Sequence, residues 1–214
     1  MPSDLHIETF PVGMLGCNCT IIGDPDTGDA LVIDPGDEPD EVCARLDALG
    51  LHPAALIHTH AHFDHIGRSS AVAMRTGSGM HLHEGDLFLY ENLATQAEWF
   101  GLSLPPGLPL AGFLKDADVI GRGRASVEVV HTPGHTPGSD CFRLAGPVPM
   151  LFSGDTLFAG GIGRTDLWGG DGRLIVRSIR ERLYTLSPET RVIPGHGPET
   201  TIDEERASNP FVQS

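Results

Sequence analysis

The segment AALIHTHAHFDHIG, residues 54–67, runs from an apolar stretch straight into His58, His60, His62 and His65, with Asp64 among them. The apolar part reads as a buried strand. Imidazoles placed directly behind it must leave the core at once, so this strand has to end at the rim of a sheet. Residues two apart in extended chain point to the same side, so His60 and His62 can converge on one ion. A turn into a following helix re-aims Asp64 and His65 toward a neighbouring position. The pattern therefore asks for a sheet edge that can carry two adjacent metal sites. A lone histidine is more ordinarily a solvated or hydrogen-bonded group, but H-x-H-x-D-H gathers too many ligands for that reading.

Three further candidates stand at strand ends beside glycine: His135 in TPGHTPGS, Asp155 in SGDT and His196 in PGHG. Glycine permits the tight turns and close approaches that bring a side chain to a sheet rim. The other histidines lack this context. His131 reads as a structural or supporting group, and His58 as facing away from the His60 site or supporting it. His81 and His83, without a partner carboxylate, read as packing or surface residues, and His6 and His52 as unremarkable. Cys17 and Cys19 form an isolated C-x-C and read as core thiols.

Around these motifs, HIETFPV, CTIIG and ALVID predict an antiparallel meander, with DPDTGD as a hairpin connection. Val42, Leu46 and Leu49 predict a helix within residues 37–50, ending at glycine. Helices are also predicted over 66–77, 84–100 and 173–186, and short strands in GMHLH, SVEVVHT, DCFRLAG, VPMLFSGD and TRVIPGHG. Residues 101–125 read as an irregular connection crossing between two halves. Two packed sheets covered by helices are the expected architecture. The echo between ALVIDPG and MLFSGDT suggests an internal duplication.

Composition narrows the partners. A chain of 214 residues with 40% hydrophobic content is expected to fold as one domain over residues 1–214. Its formal charge of −15 disfavours nucleic acid and anionic membranes. The start MPSDLHIETF lacks the features of a signal peptide, no run reaches membrane-spanning length, and Cys17, Cys19, Cys43 and Cys141 are too few for a disulfide framework. A reduced, cytoplasmic location is expected.

HTHAHFDH, TPGHTPGS, SGDT and PGHG, in this order and with these gaps, resemble the metallo-β-lactamase superfamily over nearly the whole chain. The resemblance implies an α/β (α+β) fold, an αββα sandwich of two mixed β-sheets flanked by helices. It also implies two divalent metal ions, with His60, His62 and His135 on the first, Asp64, His65 and His196 on the second, and Asp155 bridging them. Zinc is the first expectation, and the same donors serve iron or manganese.

Within the superfamily, Asp155 stands where common dizinc β-lactamases carry Cys, and His62 where flavodiiron reductases carry Glu. GDTLFAGGIGRTDLWGGD, residues 154–171, and ERASNPF, residues 205–211, are similar to short bacterial glyoxalase II thioesterases. That likeness implies hydrolysis of S-lactoylglutathione or a related acyl-thiol. A water shared by two dications becomes a hydroxide nucleophile near neutral pH, Asp64 can orient it, and a thiolate leaves without a general acid. GRTD occurs also in persulfide dioxygenases, which bind one iron, so that activity is the enzymatic alternative; a non-enzymatic metal-binding protein is the alternative from another class. Longer glyoxalase II enzymes grip glutathione with a basic C-terminal segment, whereas this sequence stops at Ser214. Arg164 is then either a replacement anion contact or a loop arginine paired with Asp166. Trp168 either lines the substrate mouth or packs against its loop.

Overall fold

In the computed structural model, which describes residues 4–105 and 107–212, the first sheet is built by the N-terminal half in chain order. Strands β1 (His6–Val12), β2 (Cys17–Gly23) and β3 (Asp29–Ile33) form the expected antiparallel meander. Helix α1 (Pro39–Leu49) then returns the chain to β4 (His52–Ile57), which runs parallel to β3. After β4 come α2 (Phe63–Ile66), α3 (Ser69–Thr76) and β5 (Gly79–His83), followed by α4 (Leu87–Glu91), α5 (Leu93–Glu98) and β6 (Gly112–Leu114). Both β5 and β6 continue the parallel run.

The second sheet begins with β7 (Val119–Arg122), β8 (Ala125–His131), β9 (Asp140–Leu144) and β10 (Met150–Gly154), all antiparallel to their sequence neighbours. A small hairpin, β11 (Leu157–Phe158) and β12 (Gly161–Ile162), precedes α6 (Gly172–Ser178). Strand β13 (Arg191–Pro194) pairs parallel to β10, and β14 (Thr200–Thr201) and α7 (Ile202–Ser208) follow.

Strand periodicity explains the layers. Leu31, Ile33 and Ile57 point inward and pack with Val127, Val129, Phe142 and Phe152 between the sheets. Their sequence neighbours Val32 and Leu56 point outward and pack with Val42 and Leu46 of α1. On the far side, Val130, Leu151 and Val192 pack against Ile175, Ile179 and Leu183. Continuous apolar strands buried on both faces thus give an αββα sandwich. Deleting the fully buried Phe142 side chain to Ala would cost about 3–5 kcal/mol.

Several boundaries differ from the sequence reading. Residues 101–125 hold two short strands, β6 and β7, one in each sheet. Strands of three and four residues at sheet ends are too short to show alternation; Pro106 in this stretch lies outside the described residues. The helix expected over 66–77 starts earlier, at Phe63, and breaks at Arg68, whose N–H donates to the carbonyl of Gly36. The 84–100 helix divides at Asn92, and α6 passes into a π turn over Ile179–Leu183.

Candidate metal centre

The ends of β4, β8, β10 and β13 open onto one edge of the sandwich, where the loops behind them meet. Pairing of β10 with β13 sets the Asp155 and His196 turns side by side, and the Gly195 N–H donates to Gly154 O at 2.8 Å. Asn18 on β2 ties this loop to the first sheet through its N–H to Gly195 O at 2.7 Å and its amide to Pro194 O at 2.9 Å. A Cβ on Gly195 would meet the Asp155 carboxylate and, at 2.7 Å, Cε1 of His65. Gly154, at φ +48°, has Thr59 Cβ 2.5 Å from where its own Cβ would be. Only glycine fits at these two positions without displacing a candidate ligand, at Gly195, or Thr59 next to His60, at Gly154.

Six side chains fall into two triads. His60 Nε2, His62 Nδ1 and His135 Nε2 lie 2.9–3.2 Å from one another. Beside them, His65 Nε2 and His196 Nε2 are 3.3 Å apart, with Asp64 Oδ2 at 3.7 and 3.1 Å from these two nitrogens. Asp155 reaches both groups, with Oδ1 3.4 Å from His65 Nε2 and Oδ2 3.6 Å from His135 Nε2.

The outer hydrogen bonds fix which nitrogen faces inward. Thr59 Oγ1 donates to Asp34 at 2.6 Å, so it accepts from His60 Nδ1 at 3.1 Å. His135 Nδ1 donates to Arg164 O at 2.7 Å, His65 Nδ1 to Asp34 Oδ2 at 2.9 Å, and His196 Nδ1 to Leu15 O at 3.1 Å. Each of these four rings therefore turns Nε2 toward its triad; burial pulls His65 and His196 down, yet Asp64 and Asp155 help hold both above the usual histidine range. Burial, reinforced by the neighbouring His135, pulls His62 down to about 3, and burial likewise drives His60 well below the usual histidine range.

In the first triad, inward lone pairs this close repel unless a cation lies among them. Tetrahedral sites with nitrogen ligands place donors about 3.3 Å apart, close to the spacing of the first triad. Asp155 Oδ1 is buried without a hydrogen-bond partner, a costly state for a carboxylate oxygen unless a cation meets it. Burial pushes its carboxyl up, yet His65, His135 and His196 outweigh that and hold it below the usual carboxylate range. The donor set and the orphaned oxygen thus fit divalent metals, and His60, His62 and His135, with Asp64, His65 and His196, could hold them.

Two buried carboxylates support this edge. Asp34, at φ +50°, receives the Thr59 N–H at 2.8 Å in addition to Thr59 Oγ1 and His65. Asp86 accepts from Ala61 N–H at 2.9 Å, Thr136 Oγ1 at 2.8 Å and Gly138 N–H at 2.6 Å, and so joins the two loops that carry the first triad. Sequence reasoning passed over Asp86. Its signal was faint, an acidic residue in EGD that looks like the solvated start of a helix.

The remaining histidines divide. His58 is buried between the His81 carbonyl and the Ser69 hydroxyl and points away from the triads. His131 contacts Asp140 at 2.9 Å and lies outside the two triads. His83 corrects the expectation that it has no carboxylate nearby: it stacks on His131 at 4.1 Å and shares the cluster with Asp140, because β5 and β8 end beside each other. Cys17, 3.4 Å from His65 Nδ1, is more than core filling. Burial pushes its thiol up to about 12, so it contacts His65 as a neutral thiol. Arg164 pairs with Asp166 at 2.7 and 2.8 Å while lining the pocket, and Trp168 both lines that pocket and packs against Trp99 at 4.6 Å.

The metallo-beta-lactamase superfamily model matches residues 12–196, and the chain belongs to that superfamily. Hydroxyacylglutathione hydrolase GloC of Haemophilus influenzae is 38% identical over 98% of this chain and 99% of its own. The mitochondrial persulfide dioxygenase of Bos taurus is 33% identical over 90% of this chain and 71% of its own. The solved structure of TTHA1623 in a di-iron-bound form is 38% identical, with a TM-score of 0.84 over 99% of this chain and 100% of that one. Such a fold implies divalent metal binding. No helix among the described residues is long and apolar enough to cross a membrane.

Proposed function

We propose that this chain is a dinuclear metal-dependent thioesterase that hydrolyses S-lactoylglutathione or a related acyl-thiol. The observation that carries the reading is Asp155 set between two complete triads, since a one-metal enzyme has no need of the second. His60, His62 and His135 would hold the first ion and Asp64, His65 and His196 the second, with Asp155 placed to serve both. Zinc, iron and manganese all suit these donors. When bound, the pair supplies Lewis acidity that acidifies a water and polarises a carbonyl.

The chain's own residues do the rest. Asp155 places negative charge where two cations would repel. Asp64, partly open to the pocket, orients the water through its carboxylate. The apolar wall around the site excludes bulk water and strengthens every electrostatic contact inside. The thiolate leaves without a proton donor because its conjugate acid has a pKa of about 8.5, which makes the thiolate a weak base near neutral pH. The small-molecule partner and the reducing, cytoplasmic setting belong to the same proposal, and the four cysteines, all free and buried, support that setting.

The test is hydrolysis of S-lactoylglutathione and a panel of other acyl-thiols by protein loaded with zinc, iron or manganese, followed as loss of thioester absorbance. Two metals per chain and thioester turnover are expected. One iron per chain, with oxygen uptake on glutathione persulfide and no thioester cleavage, would establish the dioxygenase instead. Opening of a chromogenic cephalosporin in place of thioesters would overturn the substrate class.

A further inference from the structure

A pocket of about 310 Å³ lies over the two triads, near the lower end of the range for small-molecule sites. Beyond the candidate metal ligands its wall is apolar, with Leu15, Leu89, Trp99, Phe100, Leu167 and Trp168 prominent. The polar exceptions on the lining are Gln96 and Arg164. Gln96 spends its amide N–H groups on Leu89 O at 2.8 Å and Ala61 O at 3.2 Å. Arg164 is neutralised by its two-point pair with Asp166. Apart from the candidate metal ligands, the wall therefore offers no uncompensated cation among the described residues.

The rim is apolar as well. Trp99 is 53% exposed and Trp168 37% exposed, their rings meet edge to face at 4.6 Å, and Phe88 lies 5.6 Å from Trp168. Scattered exposed hydrophobes are ordinary on a protein surface, but a cluster around a concave site marks a binding surface. A flat apolar group can lie against these rings, where burying each methylene is worth about fourfold in affinity. Glutathione's two carboxylates and its ammonium find no matching partner on the same wall, and leaving them unpaired inside would cost affinity.

Resting on the thioesterase reading of the metal centre, we infer that the site selects acyl-thioesters by a flat apolar group seated against Trp99 and Trp168, with any charged peptide portion of the thiol left in solvent. Recognition then follows the apolar group next to the thioester and is indifferent to the tripeptide.

The two tryptophans of the chain both stand at this mouth, so intrinsic fluorescence reports occupancy directly. Metal-loaded protein would be titrated with three thioethers that it cannot hydrolyse: S-methylglutathione, S-benzylglutathione and N-acetyl-S-benzylcysteine. The benzyl compound is expected to bind at least tenfold tighter than the methyl one, and trimming the tripeptide to acetylcysteine to change affinity by less than threefold. Trp168→Ala should erase the benzyl preference and Trp168→Phe keep it, with circular dichroism confirming that each is folded; if the alanine variant unfolds, Trp99→Leu serves in its place. Equal affinity for methyl and benzyl, or loss of binding on trimming the tripeptide, overturns the inference. So does self-association through this rim without benzyl preference. Benzyl-selective binding with no turnover of any thioester would sink the thioesterase reading and leave the pocket's selectivity standing, whereas turnover with no apolar preference would do the reverse.

Discussion

Asp34 Oδ2 accepts the Nδ1 proton of His65 at 2.9 Å, and this one contact decides which nitrogen His65 turns toward Asp64 and Asp155. Partners behind a metal-binding imidazole fix its tautomer and orientation and are worth about 10–100-fold in affinity or activity. Asp34→Ala should therefore weaken the second metal by a factor in that range and leave the first comparatively tight, although Thr59 beside His60 also loses its acceptor. Stepwise metal titration of the variant, followed by elemental analysis, measures this directly. Equal loss at both positions would show that Asp34 serves the loop as a whole and not His65.

Asp86 makes no hydrogen bond to a candidate ligand side chain among the described residues, yet it holds the Ala61 and Gly138 N–H groups on either side of the first triad. In Asp86→Ala both donors lose their buried partner, at about 1–3 kcal/mol each. Since 1 kcal/mol moves the midpoint by roughly 2–4 °C in a domain of this size, a fall on the order of 10 °C is expected. First-site affinity should decline together with stability. A melting temperature within a degree or two of the parent would mean that water replaces the carboxylate without loss.

How much of this was legible beforehand follows from chain distance. The motifs that bring the candidate ligands together could be read because each is local: a strand end, a glycine and one side chain within a few residues, as in PGHG around His196. The layers were legible for the same reason, through apolar strands such as Ala30–Ile33. What escaped depends on residues far apart. Asp86 meets Gly138 across a separation of 52 residues, and His83 meets His131 only because two strands from different sheets end together. Strands β6 and β7 escaped because their pairing partners, not their own periodicity, define them.

Three imidazole nitrogens crowded together in the first triad make the metal-free edge repulsive there, so metal should stabilise the fold. Binding at a thousand times the dissociation constant contributes about 4 kcal/mol, again on the order of 10 °C. Chelator-treated protein should therefore melt lower and recover on addition of zinc, iron or manganese. His135→Ala should abolish most of that recovery, while replacement of the exposed His52 should leave it intact. A melting curve indifferent to all three metals would contradict the reading of the triads.

Asp155 offers the sharpest single substitution, because its two oxygens face different triads and Oδ1 is buried without another partner. Asp155→Asn is nearly the same size, so packing against Gly195 changes little, but it removes the negative charge that lets two cations lie a few ångströms apart. An amide also presents one oxygen where the carboxylate presents two. Occupancy should fall from two metals per chain toward one, and thioesterase activity should drop by orders of magnitude even at saturating metal, since the second cation and the water between would be displaced. A surface carboxylate such as Asp203 gives the comparison, with change of less than about twofold expected on Asp203→Asn, since isolated surface substitutions away from special features have little effect. Two tightly held metals and near-parental turnover in Asp155→Asn would remove the bridge, and with it the dinuclear mechanism.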